Sequence, residues 1–110
     1  MQVKGEMKDN AFVVSIQGRI DMDTSSEFNT TLESYLEANF TPFILNCKDL
    51  EYINSSGLSS LINLSQMLER FQLKLLLCEL QPAVKEVIEI AGMNDHFNIF
   101  PTEQAAFGSL

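Results

Sequence analysis

The sequence predicts one α/β domain. An N-terminal β-hairpin precedes βα units that build a mixed, largely parallel sheet of four to five strands with about four helices. Three observations carry that expectation. Short apolar runs of strand length alternate with segments whose apolar residues recur at intervals of three and four, the pattern of parallel strands joined by right-handed crossovers. The chain has 110 residues, of which 45% are hydrophobic and 20% charged, enough for a single buried core. No repeat, low-complexity tract or linker divides it, so residues 1–110 are read as one domain.

The elements follow in order. "VKGEM" and "AFVVSIQG" read as two strands joined by a polar turn at Lys8, Asp9 and Asn10. In "DTSSEFNTTLESYLEANF", Thr24 and Glu27 have the spacing of a capping box. Phe28, Leu32, Tyr35, Leu36 and Phe40 then mark a buried helical face, with Glu33 and Glu37 opposite. "FILNC", opened by Pro42, has the length of a buried strand. The next helix places Leu58, Leu61, Ile62, Ser65, Leu68 and Phe71 on one face, and "LKLLLC", residues 73–78, is a further buried strand. Pro82 suits the first turn of a helix with the apolar stripe Val84, Val87, Ile88 and Ala91, and Gly92 stands where a C-terminal cap is expected. "FNIF" and "TEQAAFGS" predict a last strand and a last short helix.

Charge and composition narrow the function classes. Fifteen Asp and Glu against seven Lys and Arg give a formal net charge of −8, with no basic patch, which argues against a nucleic-acid partner. An acidic surface favours a partner with a basic face. No apolar run approaches the roughly 20 residues of a membrane span, and the opening "MQVKGEMKDN" lacks an apolar signal region. A cytoplasmic protein is therefore expected, with Cys47 and Cys78 as buried thiols rather than a disulfide or a metal pair. Motifs for nucleotide binding are absent, and neither cofactor nor metal is expected.

Parallel strands would bring the loops after residues 18, 47 and 78 to one end of the sheet, where sites in open α/β folds form. Those loops carry Asp21 and Asp23, then Asn54 and Ser55, then Glu79 and Gln81. The join Asn54-Ser55-Ser56-Gly57 stands between a strand-like and a helix-like run and admits three readings. As an N-cap it explains one hydroxyl, but not two with a glycine that weakens a helix. As a catalytic nucleophile it lacks the glycine before the serine that a G-x-S-x-G elbow requires, and the single histidine, His96, follows Asp95 far along the chain. As a phosphoacceptor it offers a small, open surface at the positive end of a helix dipole.

"DLEYINSSGLSSLI" resembles the signature of the STAS family of anti-sigma factor antagonists, D-L-x-x-[ILM]-D-S-[ST]-G. "GRID", residues 18–21, is similar to the family's G-x-[IL]-D, and "LLLCELQPAVKEVIEIAGMNDHFNIF" resembles its later strand, proline-led helix and G-[LM] turn. The resemblance covers nearly the whole chain in order. It implies a STAS-like domain without enzymatic activity that captures an anti-sigma factor, itself a serine kinase of GHKL type, while unphosphorylated. Phosphorylation of Ser55 would end the capture and a PP2C-type phosphatase would restore it. Partner contacts are implied for Asp21, Asp23, Asn54, Ser55, Ser56 and Gly57, with no membrane partner. One departure stands out: the family's aspartate before the serine is Asn54 here. The alternative is a STAS adaptor or scaffold in a signalling or lipid-trafficking complex that is not phosphorylated.

Overall fold

Asp9 and Asn10 reverse the chain in two residues, with Asp9 in the left-handed region at φ 50°. The hairpin thus forms around a shorter turn than expected, because Lys8 still pairs with Ala11 as its last rung. The computed structural model describes residues 1–110 as β1 (Gln2–Lys8), β2 (Ala11–Ile20), α1 (Ser25–Ala38), β3 (Phe43–Ile53), α2 (Ser55–Glu69), β4 (Leu75–Cys78), α3 (Pro82–Ile90), β5 (Asn98–Phe100) and α4 (Glu103–Gly108). The expected order of elements is the observed one.

The five strands lie in chain order, β1-β2-β3-β4-β5. β1 is antiparallel to β2, and the other three pairings are parallel. Helices α1, α2 and α3 cover one face, where Phe28, Leu32, Leu61, Leu68, Val84 and Ile88 meet Val14, Ile16, Phe43, Leu45 and Leu77 in a large core. The short α4 covers part of the other face, packing Ala106 against Ala11, Val13, Ile44, Leu76 and Cys78. Two covered faces explain why β3 and β4 read as continuous apolar runs rather than alternating ones. Cys47 and Cys78 are fully buried free thiols, one on each face.

Several local expectations differ from what forms. The capping box at Thr24 is not made: its hydroxyl donates to the Arg19 carbonyl (2.9 Å) and accepts from the Asp21 amide (3.0 Å), so it closes the preceding loop instead. Phe40 and Phe71 fit the helical spacing but fall beyond the ends of α1 and α2, and both are exposed. Ala91 likewise lies past α3 and is exposed. β3 does not stop at Cys47 but continues to Ile53, its pairing with β2 carried through two register shifts. α3 ends as expected, with Gly92 at φ 72° and the Met93 amide returning to the Ile88 carbonyl.

Candidate functional site

The length of β3 positions the Asn-Ser-Ser-Gly join. Its last residue, Ile53, pairs with Ile20, the last residue of β2, and the Asn54 amide donates to the Ile20 carbonyl at 3.3 Å. The loop carrying Asp21 and Asp23 and the start of α2 therefore leave the sheet side by side. β4 stops much earlier, since Cys78 pairs with Asn46 and β3 runs on for another seven residues, Cys47 to Ile53. At about 3.3 Å per strand residue the third loop emerges on the order of 20 Å short of the join. Glu79 and Gln81 are engaged elsewhere, Glu79 accepting from the Glu103 amide (3.0 Å) and Gln81 donating to the Lys48 carbonyl (2.7 Å).

Asn54 is the N-cap of α2. Its side-chain Oδ1 accepts from the amides of Ser56 (3.0 Å) and Gly57 (3.2 Å), while its carbonyl receives the Leu58 amide. Both amides that a cap serves are thus satisfied by one asparagine. Ser55 occupies the first helical position, exposed and outside the cap, and Ser56 is half-buried behind it. Gly57 is buried for a steric reason. A Cβ there would stand 2.6 Å from Ile53 Cγ1 and 2.7 Å from the Ile20 carbonyl oxygen, so only glycine lets α2 sit against the ends of β2 and β3. Asn54 and Gly57 thus have structural roles in their side chains, or in the lack of one, while the Ser55 hydroxyl is left exposed.

The neighbouring loop is held by Asp21, whose Oδ1 accepts from the amides of Asp23 (3.0 Å) and Thr24 (3.3 Å). Its other oxygen faces Arg19 Nε at 3.8 Å. The Arg19 guanidinium lies over the Tyr52 ring, 4.6 Å from its centroid, joining the two strand ends by a cation–π contact. Asp23 is exposed, and between the two aspartates Met22 is 78% exposed. Arg19, Met22 and Tyr52 were not singled out from the sequence. An apolar residue between two aspartates in a polar loop is a readable signal for Met22, whereas the Arg19–Tyr52 stack depends on a register shift after Gly18 that no local pattern announces.

His96, the one histidine, precedes β5 and so lies at the opposite end of the parallel strands from Ser55, its ring edge-on to Phe97. No group of three or more His, Cys, Asp or Glu side chains is arranged to hold a metal ion. No helix is long and apolar enough to cross a membrane.

The family model described as STAS domain matches residues 2–106. BtrV of Bordetella bronchiseptica, a candidate anti-sigma factor antagonist, is 27% identical over 106 residues, covering 96% of this chain and 91% of its own. The crystal structure of an anti-sigma factor antagonist from Mycobacterium paratuberculosis superposes with a TM-score of 0.88 at 24% identity, over 98% of this chain and 92% of that one. The anti-sigma factor antagonist SpoIIAA in its unphosphorylated form gives a TM-score of 0.80 at 19% identity, over 96% and 93% of the two chains. Its phosphorylated form, from Bacillus, gives 0.71 at 19% identity, over 98% of both.

Proposed function

The chain belongs to the STAS domain family, and from that premise we propose that it is a cytoplasmic anti-sigma factor antagonist that works by partner switching. Unphosphorylated, it binds an anti-sigma factor through Asp21, Asp23, Asn54, Ser55 and Ser56, with Gly57 seating the helix beneath them. Phosphorylation of Ser55 by a GHKL-type serine kinase ends binding, and a PP2C-type phosphatase reverses it. No catalytic activity of its own is part of this reading. The observation that carries it is the position of Ser55: exposed, at the first position of α2, and free of the cap that its neighbours complete. The names of BtrV and SpoIIAA support the same role.

The cap supports one way for such a switch to act. Asn54 already takes the Ser56 and Gly57 amides, so a phosphate on Ser55 meets the positive end of the helix dipole without displacing them. It adds about −1.5 to −2 charges to a surface that already carries Asp21 and Asp23. Modification therefore changes what the surface repels and leaves the fold beneath it alone. Asn54 favours the second reading, an adaptor that is never phosphorylated, because the family's aspartate would bring a charge that a kinase can read.

Intact mass after co-expression with the cognate anti-sigma kinase separates the two. A single phosphate adduct, lost in Ser55→Ala and kept in Ser56→Ala, is expected. Ser55→Ala should still bind the anti-sigma factor, Ser55→Asp should bind more weakly, and Asn54→Asp should be phosphorylated faster than the parent. No adduct on either the parent or Asn54→Asp, with equal binding by both Ser55 variants, leaves the adaptor.

A further inference from the structure

α1 and α2 both follow parallel strands, so both run away from Ser55, and their last turns lie side by side at the far end of the helical layer. Between them is an open groove of about 460 Å³. Its apolar surface includes Met67, Phe40 and Phe71, the last two meeting edge to face with ring centroids 5.3 Å apart. Phe40 is 69% and Phe71 50% exposed, so two aromatic rings that the core does not use stand in contact on the surface. Glu33 and Glu37, one helical turn apart, border the α1 side, and Arg70 borders the α2 side. None of the three is ion-paired within the chain. α1 has no basic residue in its last turn, so no cation offsets the negative end of its dipole beside those two carboxylates.

We propose that this groove docks a basic amphipathic helix of a partner protein. Apolar residues at i, i+3 and i+4 would cover the Phe40–Phe71 pair, and a Lys or Arg flanking them would reach Glu33 and Glu37. Arg70 fixes the orientation, since the basic edge of the incoming helix must face α1. A second copy of this chain is a poorer occupant: each carries a net charge of −8, and pairing the same face would crowd four carboxylates around the rings. A small apolar ligand would leave both glutamates without a partner. The groove lies at the opposite end of α2 from Ser55, so this docking is independent of the phosphorylation proposed there, and either can fail alone.

The probe is a synthetic amphipathic helical peptide with Leu and Phe at i, i+3, i+4 and i+7 flanked by Lys, beside a twin in which every Lys is Glu. Binding to the full chain is read by fluorescence anisotropy at low and high salt and mapped by NMR shift perturbation. The Lys peptide should bind at least about tenfold more tightly than its twin, lose affinity with salt, and perturb Phe40 and Phe71 rather than Ser55. Glu33→Lys with Glu37→Lys should reverse the preference between the two peptides while leaving the apolar surface intact. Phe40→Ser with Phe71→Ser should abolish both interactions, with circular dichroism confirming the fold. Equal binding of the two peptides, no saturable binding of the Lys peptide, or perturbation centred elsewhere overturns the proposal. So does sedimentation showing self-association that Phe40→Ser removes, which would make a second copy the occupant.

Discussion

Asn54 and Gly57 build the join so that Ser55 is left outside it, and the two do so by different physics. Asn54 satisfies two first-turn amides with one oxygen. Gly57 contributes only by lacking a side chain, which brings α2 onto the Ile20 carbonyl. Gly57→Ala should therefore destabilise the protein although alanine is the better helix former. Propensity favours the change by about 1 kcal/mol. Against it stands the overpacking of a methyl placed 2.7 Å from a backbone oxygen that cannot turn away, because it accepts the Asn54 amide. Such overpacking costs about 1–3 kcal/mol, so a net loss of up to about 2 kcal/mol is expected in urea unfolding. Ser55→Ala should stay within about 0.5 kcal/mol of the parent, since the hydroxyl is exposed and outside the cap. If Gly57→Ala were instead stabilised, the contact between α2 and the strand ends would be loose and the glycine incidental.

α2 ends with the same economy at its other terminus. The Gln72 amide donates to the Glu69 carbonyl and the Leu73 amide to the Leu68 carbonyl, the paired bonds of a Schellman turn, with Gln72 at φ 59° where glycine is usual. Gln72→Gly relieves a left-handed conformation that costs a side chain about 1–2 kcal/mol, partly offset by the greater freedom of glycine in the unfolded chain. A rise in Tm of a few degrees is expected, and an unchanged or lower Tm would mean the left-handed residue carries no strain. The turn also shows what the sequence could and could not tell. Spacing announces a helical face because burial recurs every three to four residues, and α1, α2 and α3 were legible this way, whereas the strands were read as short apolar runs. Spacing does not announce where hydrogen bonding stops, so Phe71 and Phe40 fitted the pattern one step past the last turn. Thr24 had the right neighbour for a capping box, yet the Arg19 carbonyl, five residues earlier, took its hydroxyl. The signature of the join was legible, and so was its nearness to Asp21. The exclusion of Glu79 and Gln81 was not, because it follows from the unequal lengths of β3 and β4, and beyond Cys47 the apolar run of β3 is broken by exposed Lys48, Asp49, Glu51 and Tyr52, with only Leu50 and Ile53 still buried.

The sheet carries helices on both faces, and the two cysteines sit at its centre, where this burial has a measurable consequence. Burial holds both thiols protonated: Cys78 is pushed up from its usual 9.0 to about 12, and Cys47, with the Cys78 sulfur adding to the effect of burial, is raised further. In the unfolded chain both ionise near 9. Above that pH the unfolded state holds fewer protons than the folded one, so stability falls as pH rises, by up to about 1.4 kcal/mol per pH unit for each thiol. Below pH 9 both states keep the thiols neutral and this contribution is constant. Lys8, whose pKa is raised by its hydrogen bond to Glu103, acts in the same direction but is exposed and titrates higher. The growing negative charge of the whole molecule also lowers stability at alkaline pH. A variant with Cys47→Ala and Cys78→Ala shares the last two effects and lacks the first. Urea unfolding of both proteins from roughly pH 8 to pH 10 should show the parent losing stability more steeply above 9, with parallel curves below it. Alkylation should label neither thiol of the folded parent at pH 8 and both once urea unfolds it. Equal alkaline slopes for parent and variant, or labelling before unfolding, would show that solvent reaches the strands beneath the helices.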